Sequence, residues 1–205
     1  MSARAAGLVL AAGLGTRFGD TPKLIALLGD KPMLQHVLET LRETGIEPVV
    51  VVLGHAIDDV RGAIEWRDEI QVENRHAARG MLRSVLLGLR ALDQTWSLPD
   101  RTLIVLGDQP LLRRDQIDAL LSVPVDEERP FVVSRYGDGH SGNPVLLEAG
   151  GRFFVGEFVS RMRAADRGLS QFFHAFPDRV RYADIPGMNP DVDTPEDLAR
   201  LAASG

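Results

Sequence analysis

Apolar residues along the chain fall into two kinds of segment, and the two kinds alternate. Short runs such as Val49–Leu53 are apolar at consecutive positions, so both of their faces need cover, as in a parallel sheet between helix layers. Longer segments carry apolar residues at helical spacing, and the one at 33–45 ends on Gly45, a residue typical of helix ends. The pattern predicts strands at 6–12, 47–54, 69–74, 102–107, 131–136 and 144–149, and helices at 33–45, 56–66, 79–92 and 114–121. This alternation indicates βαβ units, and therefore an α/β fold with a mostly parallel sheet and helices on both faces.

The last quarter of the chain has a weaker pattern. Aromatic residues at helical spacing indicate helices in 152–166 and 169–176, and 179–185 is typical of an edge strand. Thr194 directly before Pro195 predicts the start of a final helix, because Thr is a good cap and Pro suits the first helical position. The sequence contains no internal repeat, low-complexity tract or long linker, so we predict a single domain over residues 1–205.

Composition narrows the class of protein. The formal net charge of −6 argues against a nucleic-acid partner, which would need clustered Lys and Arg. The chain has no Cys, which excludes disulfides, thiolate zinc sites and a Cys nucleophile. The apolar run near the N-terminus leads directly into a glycine loop, and no stretch approaches the roughly 18 continuous apolar residues of a membrane span. We therefore expect no signal peptide, no membrane contact and a cytoplasmic location.

The loop after the first predicted strand has the composition of an anion site. Residues 7–23 read GLVLAAGLGTRFGDTPK, whose glycine spacing, GxGxxxG, fits neither a Walker A loop nor the dinucleotide fingerprint GxGxxG. Gly13 and Gly15 allow a sharp turn and a close approach of backbone amides to a ligand, while Arg17 and Lys23 add positive charge. The loop predicts phosphate binding; the alternative is a surface turn with two solvated cations.

The amino-acid sequence of this loop resembles a family motif. It is similar to the opening signature LAAGxGxR, followed by Lys, of nucleotidyltransferases with the glycosyltransferase-A-like fold, and in particular of the MobA-like NTP transferases. The matching residues are Leu10, Ala11, Ala12, Gly13, Gly15, Arg17 and Lys23. The resemblance implies that these residues bind a nucleoside triphosphate, and that Arg17 and Lys23 neutralise its phosphates during catalysis.

Two carboxylates match the same family further along the chain. Asp108 in GDQP and Asp193 in NPDVDTPEDL occur in the expected order, and the resemblance implies that both bind Mg²⁺ and that Asp108 is catalytic. Mg²⁺ suits the transfer of a nucleotidyl group from a nucleoside triphosphate, because hard oxygen ligands hold Mg²⁺ and it bridges phosphate oxygens. Asp191 is an alternative to Asp193. The simpler interpretations are a turn carboxylate at Asp108 and a helix cap at Asp193.

The middle of the chain resembles one branch of the family. In ENRHAARGMLRSVLLGL, Asn74, Gly80, Met81 and Ser84 match a segment of the molybdenum cofactor cytidylyltransferases and their close relatives. The resemblance implies that Asn74, Gly80 and Ser84 border the nucleotide base. The alternative is that Gly80 only begins a helix on whose surface Ser84 lies.

A later segment, GHSGNPVLL, is similar to the family's GxxGxPV stretch, which contacts the phosphate side of the substrate. The positions concerned are His140, Gly142 and Asn143. The match is incomplete near the second glycine. His140 is therefore either a substrate contact or a solvated loop histidine, and this segment does not identify the acceptor substrate.

The resemblance covers roughly residues 7–201 and implies a Rossmann-like three-layer α/β/α sandwich. It also implies Mg²⁺-dependent transfer of NMP from an NTP, here CTP, to a phosphorylated acceptor, molybdopterin, with release of pyrophosphate, and a molybdoenzyme as partner. Two alternatives stay open. One is a guanylyltransferase or a sugar-phosphate nucleotidyltransferase, and the other is a carrier protein that delivers a pterin cofactor without catalysis.

Overall fold

A seven-stranded sheet lies at the centre of the computed structural model, which describes residues 4–19, 21–95, 99–161 and 169–204. The strands, numbered along the chain, are β1 (Ala5–Ala11), β2 (Leu27–Leu28), β3 (Lys31–Pro32), β4 (Val49–Leu53), β5 (Ile70–Glu73), β6 (Arg101–Leu106), β7 (Phe131–Arg135), β8 (Ser141–Glu148) and β9 (Val180–Asp184). Across the main sheet their order is β5-β4-β1-β6-β8-β7-β9, while β2 and β3 form a separate two-stranded pair.

The sheet is mostly parallel. β1 lies between β4 and β6 and pairs parallel with both, and the pairs β4–β5 and β7–β9 are parallel as well. β8 alone among the strands of this sheet in the described ranges runs antiparallel to its neighbours, β6 and β7. The C-terminal ends of β1, β4 and β6 therefore meet at one edge, the place where open α/β sheets bind ligands.

Helices cover both faces of the sheet. They are α1 (Met33–Thr44), α2 (Ile57–Ala63), α3 (Met81–Asp93), α4 (Arg114–Leu121), α5 (Ala149–Arg161), α6 (Leu169–Ala175) and α7 (Pro195–Ser204). Neighbouring residues of β1 face opposite layers: Val9 packs in one buried core with Leu34 of α1, and Leu8 packs in a second with Val85 of α3. This is the predicted three-layer α/β/α arrangement.

A third, smaller core connects the loop after β1 with the region before α7. Phe18, Ala26, Met33 and Val192 are buried together there. Phe18 directly follows Arg17, and Val192 directly precedes Asp193. The small core therefore fixes the backbone next to two predicted site residues.

Most predicted elements are present with shifted ends, and the clearest difference concerns β8. The strand begins at Ser141, not at 144, because Ser141 and Gly142 pair with the end of β7 across a register shift. Residues 141–143, between the strands predicted at 131–136 and 144–149, are therefore strand. The edge strand is confirmed as β9, and the predicted helical residues 162–166 lie outside the described residues.

Within the described ranges, the helices are too short or too polar for any of them to cross a membrane.

Candidate functional site

A cleft of about 300 Å³ opens where β1, β4 and β6 end. Its walls come from the loop after β1, from the end of β4 and the start of α2, and from the segments after β6 and before α7. The lining residues are Leu10, Ala11, Gly13, Leu14, Gly15, Thr16, Arg17, Pro22, Lys23, Leu24, His55, Val60, Asp108 and Asp193. The structure thus brings the predicted phosphate loop and both predicted metal carboxylates to one place, with the predicted residue Ala12 buried directly behind the loop.

Two glycines of the loop, Gly13 and Gly15, differ in whether backbone conformation and packing require a glycine. Gly15 has a φ of +59°, and a Cβ there would lie 3.1 Å from Cβ of Lys23, so the fold itself requires glycine. A Cβ on Gly13 would meet no described atom within 4 Å, and its φ lies outside the left-handed range. Packing within the described residues therefore does not explain Gly13, whereas the close approach of a ligand would.

Lys23 lies between the two carboxylates. Its side chain is only 10% exposed, and its Nζ lies 2.7 Å from Oδ2 of Asp108 and 2.9 Å from Oδ1 of Asp193. The guanidinium of Arg17, which is largely exposed, reaches the other oxygen of Asp193 at 2.7 Å. Two cations and two carboxylates therefore form one connected group on the cleft wall.

The electrostatics of this group favour the charged forms of Lys23 and Asp193. Burial alone would lower the pKa of Lys23, but Asp108 and Asp193 outweigh burial and raise that pKa above its usual value. Burial would likewise raise the pKa of Asp193, but hydrogen bonds and charge from Lys23 and Arg17 lower it. A positive Lys23 beside a negative Asp193 suits binding of a polyanion and a cation together.

Asp191 has a different environment from Asp193. Burial, followed by the nearby charge of Asp108, raises the pKa of Asp191, and its Oδ1 accepts a hydrogen bond from Nε2 of Gln109 at 2.8 Å. Lys23 and Arg17 bond to Asp193 instead. This geometry favours Asp193 over Asp191 as the second carboxylate of the cleft.

The donor set of the cleft fits a hard divalent cation. Oδ1 of Asp108 is buried and has no hydrogen-bond partner among the described residues, so it is an acceptor without a donor. Two carboxylates suffice for Mg²⁺, which keeps several water ligands and binds substrate phosphates. No group of three or more His, Asp or Glu side chains in the described ranges is arranged around a common metal position.

Asn74 and Ser84 contact each other, and neither they nor Gly80 line this cleft. Nδ2 of Asn74 donates to Oγ of Ser84 at 2.9 Å, both side chains are buried, and Oδ1 of Asn74 accepts from the backbone N–H of His76. Gly80 has a φ of 112° immediately before α3, a conformation that favours glycine. These contacts fix the loop after β5 and the start of α3, and the surface expectation for Ser84 is wrong because the residue faces inward.

His140, Gly142 and Asn143 lie at the same edge of the sheet but not in the lining of the cleft. Because β8 is reversed, its first residues stand beside the ends of β6 and β7. His140 is exposed, and the carbonyl of Asn143 accepts a hydrogen bond from the Tyr136 hydroxyl at 2.6 Å. Burial raises the pKa of that Tyr136 hydroxyl.

Sequence reasoning missed His55, which lines the cleft. It follows Gly54 at the end of β4, as Asp108 follows Gly107 at the end of β6. A Cβ on Gly54 would lie 2.6 Å from the carbonyl oxygen of Ala12, so glycine there allows the end of β4 to approach the loop after β1. The shared pattern of strand, glycine and polar residue was the available signal.

Comparison with known proteins identifies relatives of the chain. The family model described as the MobA-like NTP transferase domain matches residues 7–180. Among curated proteins, the bifunctional protein GlmU of Bordetella petrii is 37% identical over 115 residues, which is 56% of this chain and 25% of that protein. The chain therefore matches about a quarter of the length of this curated relative.

Solved structures share the fold over nearly the whole chain. Rv0371c of Mycobacterium tuberculosis is 28% identical with a TM-score of 0.77, covering 99% of this chain and 100% of that one, and the same protein has been solved in complex with manganese. The inositol-1-phosphate CTP transferase of T. maritima is 18% identical with a TM-score of 0.73, covering 99% of this chain and 96% of that one. The latter likeness shows the fold alone.

Proposed function

Because the chain belongs to the MobA-like NTP transferase family, we propose that it transfers NMP from CTP to a phosphorylated acceptor of the molybdopterin class. Pyrophosphate is released, Mg²⁺ is required, and residues 1–205 act as one nucleotidyltransferase domain. The nucleotidyltransferase class follows from the family. The nucleotide, the acceptor, the metal and the residue roles are the proposal.

The observation that carries the proposal is the placement of Lys23 between Asp108 and Asp193 at the mouth of the glycine loop. A simple surface turn would leave Arg17 and Lys23 solvated, whereas Lys23 is largely buried against two carboxylates. The same cleft therefore offers positive charge for a triphosphate and oxygen ligands for its counter-ion.

In the proposed reaction, a phosphate oxygen of the acceptor attacks the α-phosphorus of CTP. The new P–O bond replaces the bond to the β-phosphate, and pyrophosphate leaves with that bond's electron pair. Phosphate monoesters are largely ionised near neutral pH, so no side chain needs to remove a proton from the nucleophile. The loop amides at residues 13–17 bind the phosphates, and Arg17 and Lys23 neutralise them.

Asp108 and Asp193 would hold the divalent ion. That ion supplies charge neutralisation at the phosphate oxygens, where negative charge gathers in the transition state. Oδ1 of Asp108, which has no partner among the described residues, is the first ligand atom. The manganese complex of Rv0371c supports a divalent-metal site in this fold.

The choice of CTP and a pterin acceptor rests on the motif that contains Asn74, Gly80, Met81 and Ser84. The Asn74–Ser84 hydrogen bond supports an indirect role, in which the two side chains fix the backbone of 75–80 beside the base. His140, Gly142 and Asn143, at the far side of the same edge, are the proposed acceptor contacts.

Pyrophosphate release tests the proposal. The protein is incubated with CTP, GTP, UTP or ATP and with molybdopterin, glucose 1-phosphate or N-acetylglucosamine 1-phosphate, with Mg²⁺ or with EDTA. We expect release only with CTP, molybdopterin and Mg²⁺. Asp108→Asn should abolish it, whereas the matched change Asp184→Asn, in an exposed carboxylate at the end of β9, should not.

Other outcomes identify the alternatives. Release with GTP indicates a guanylyltransferase, and release with a sugar phosphate indicates a sugar-phosphate nucleotidyltransferase. Tight pterin binding that Asp108→Asn leaves unchanged, with no release for any pair, indicates a carrier and contradicts the enzyme proposal.

A further inference from the structure

An uncharged side chain next to Asp108 contacts the segment that carries Asp193. Gln109 is buried three residues beyond the end of β6. Its Nε2 donates to Oδ1 of Asp191 at 2.8 Å and to the carbonyl oxygen of Asn189 at 3.1 Å. Its Oε1 accepts from Nδ2 of Asn189 at 3.0 Å. Both ends of this carboxamide are therefore engaged with residues 189–191.

The segment that receives these bonds has no regular structure. Residues 185–194 lie between β9 and α7 and belong to neither a helix nor a strand. Close to Asp193, the backbone N–H of Val192 donates to the carbonyl oxygen of Asp108 at 3.1 Å. Since no strand pairing fixes this segment, the position of Asp193 depends on such contacts, together with the burial of Val192 in the third core and the bond from the Asp193 N–H to Oδ2 of Asp197.

Holding the two carboxylates close works against charge repulsion. Asp108, Asp191 and Asp193 are neighbours, and like charges at short range repel each other. Lys23 offsets this repulsion only while it bridges Asp108 and Asp193. A phosphate that draws Lys23 away would remove the bridge. The bonds of Gln109 do not involve Lys23, so they persist through such an exchange.

We propose that Gln109 is a positioning residue, whose carboxamide holds residues 189–193 against the end of β6. Gln109 thereby fixes Asp193 at the distance from Asp108 at which both carboxylates share one cation. The inference rests on the proposed function, in which that cation is the divalent metal of the transfer reaction.

Direct binding of Mn²⁺, measured from the electron paramagnetic resonance of free Mn²⁺, tests this role without any turnover. Gln109→Leu removes all three hydrogen bonds at similar size. Gln109→Glu keeps the shape but points an acceptor at Asp191 Oδ1. Val155→Ala, at a fully buried core position of α5, is the control for a general loss of stability. Thermal unfolding identifies the fraction of each variant that is folded.

We expect both Gln109 variants to bind Mn²⁺ about 10–100-fold more weakly, as is typical when the partner of a metal ligand is lost. Val155→Ala should leave the affinity within about threefold. Asn189→Leu should weaken binding too, and combined with Gln109→Leu it should add less than its single effect, because the pair acts as a unit.

Each contrary outcome is distinct. If Asp108→Asn removes Mn²⁺ binding but both Gln109 variants retain it, the positioning role is wrong and the proposed function stands. If Val155→Ala weakens binding as much as Gln109→Leu, the effect is general loosening, and the role is wrong. If the wild-type protein has no Mn²⁺ site that depends on Asp108, both the role and the metal part of the proposed function are wrong.

Discussion

β6 carries a cluster of charged side chains at each end, and the two clusters are built differently. At its start, Arg101 lies beside Glu148 at the end of β8, and Arg181 of β9 bonds to the same carboxylate. Beyond its far end, Asp108 belongs to the cleft cluster with Lys23, Asp193 and Arg17.

The cluster at the start of β6 is tied to the backbone. Arg101 donates to the carbonyls of Leu121 and Val123, and the backbone N–H of Asp126 donates to Oε2 of Glu148. Arg181 donates to two further carbonyls of the same loop. Arg101 and Glu148 are each less than 5% exposed. This cluster holds the loop after α4, and its charges can separate only if that loop opens.

The cleft cluster, by contrast, pairs side chain with side chain. Among the described residues, the hydrogen bonds of Lys23 Nζ and of the Arg17 guanidinium go to carboxylates. Each cluster also has a buried atom without a partner in the described chain, Oδ1 of Asp108 here and Nε of Arg101 in the other. Such pairs exchange for ligands without unfolding any segment. The comparison teaches that the partners of buried charges, more than burial itself, distinguish the proposed binding site from a structural support.

The largest effect should come from Asp108→Asn, which removes a charge from the cleft cluster. We expect turnover to fall about 10³-fold, equivalent to about 4 kcal/mol of transition-state stabilisation. The thermal midpoint should change by less than about 3 °C, because no backbone group loses a partner. Pyrophosphate release and thermal unfolding measure the two effects. A large loss of stability with normal turnover of the folded protein would reverse the roles of the clusters.

The next effect should come from Glu148→Ala, which leaves two guanidinium groups without their shared carboxylate. Removing one partner from a buried ion pair costs about 3–5 kcal/mol, a large part of the stability of a typical domain. Urea unfolding should report this loss, while the folded variant keeps its turnover within about twofold. A loss below about 1 kcal/mol would show that the cluster is not structural.

A smaller effect is expected from Arg17→Ala. Arg17 is largely exposed, so its loss removes one charge-assisted contact to a phosphate while Lys23 stays in place. We expect KM for the nucleoside triphosphate to rise about 10–30-fold with little change in kcat. The salt dependence of KM should also weaken, because exposed charges are screened. A fall in kcat at unchanged KM would contradict this assignment.

The smallest effect should come from Asp184→Asn, which breaks an exposed pair outside both clusters. The hydrogen bond from Arg135 lowers the pKa of Asp184, so any stability from the pair is present above the unfolded-state pKa of about 3.9 and lost as the pH falls below it. Exposed pairs contribute little. We expect the thermal midpoint at pH 7 to change by less than about 1 °C, and a larger change would indicate an unrecognised contact.

Local rules predicted much of the fold. Val49–Leu53 is buried throughout, as its uninterrupted apolar run required. Thr194 caps α7 as predicted: its Oγ1 accepts from the backbone N–H of Asp197, whose carboxylate accepts from the N–H of Thr194. These features depend on residues close together in the chain, where sequence patterns are informative.

It was also predictable that the cleft residues come together, although Lys23 is 85 residues from Asp108 and 170 residues from Asp193 in the chain. Parallel strands deliver the loops that follow them to one edge, so the motifs only needed to follow strands. The individual partners were not predictable. The Gln109–Asn189 and Asn74–Ser84 bonds depend on how particular side chains meet across the fold, and no periodic pattern records that.

Because β8 runs antiparallel to β7, a short turn joins the two strands at the same edge of the sheet as the cleft. Parallel neighbours must be joined by a crossover of a dozen or more residues, but β7 and β8 are joined by residues 136–140 alone. This short turn is closed by the bonds Tyr136 N–H to His140 carbonyl and Gly139 N–H to Tyr136 carbonyl. Residues 137–139 of this turn are exposed, so their number can change without moving a helix, the β1 loop or Asp108. For protein engineering, these three residues are the natural place to insert a loop, while Tyr136 and His140 stay in place.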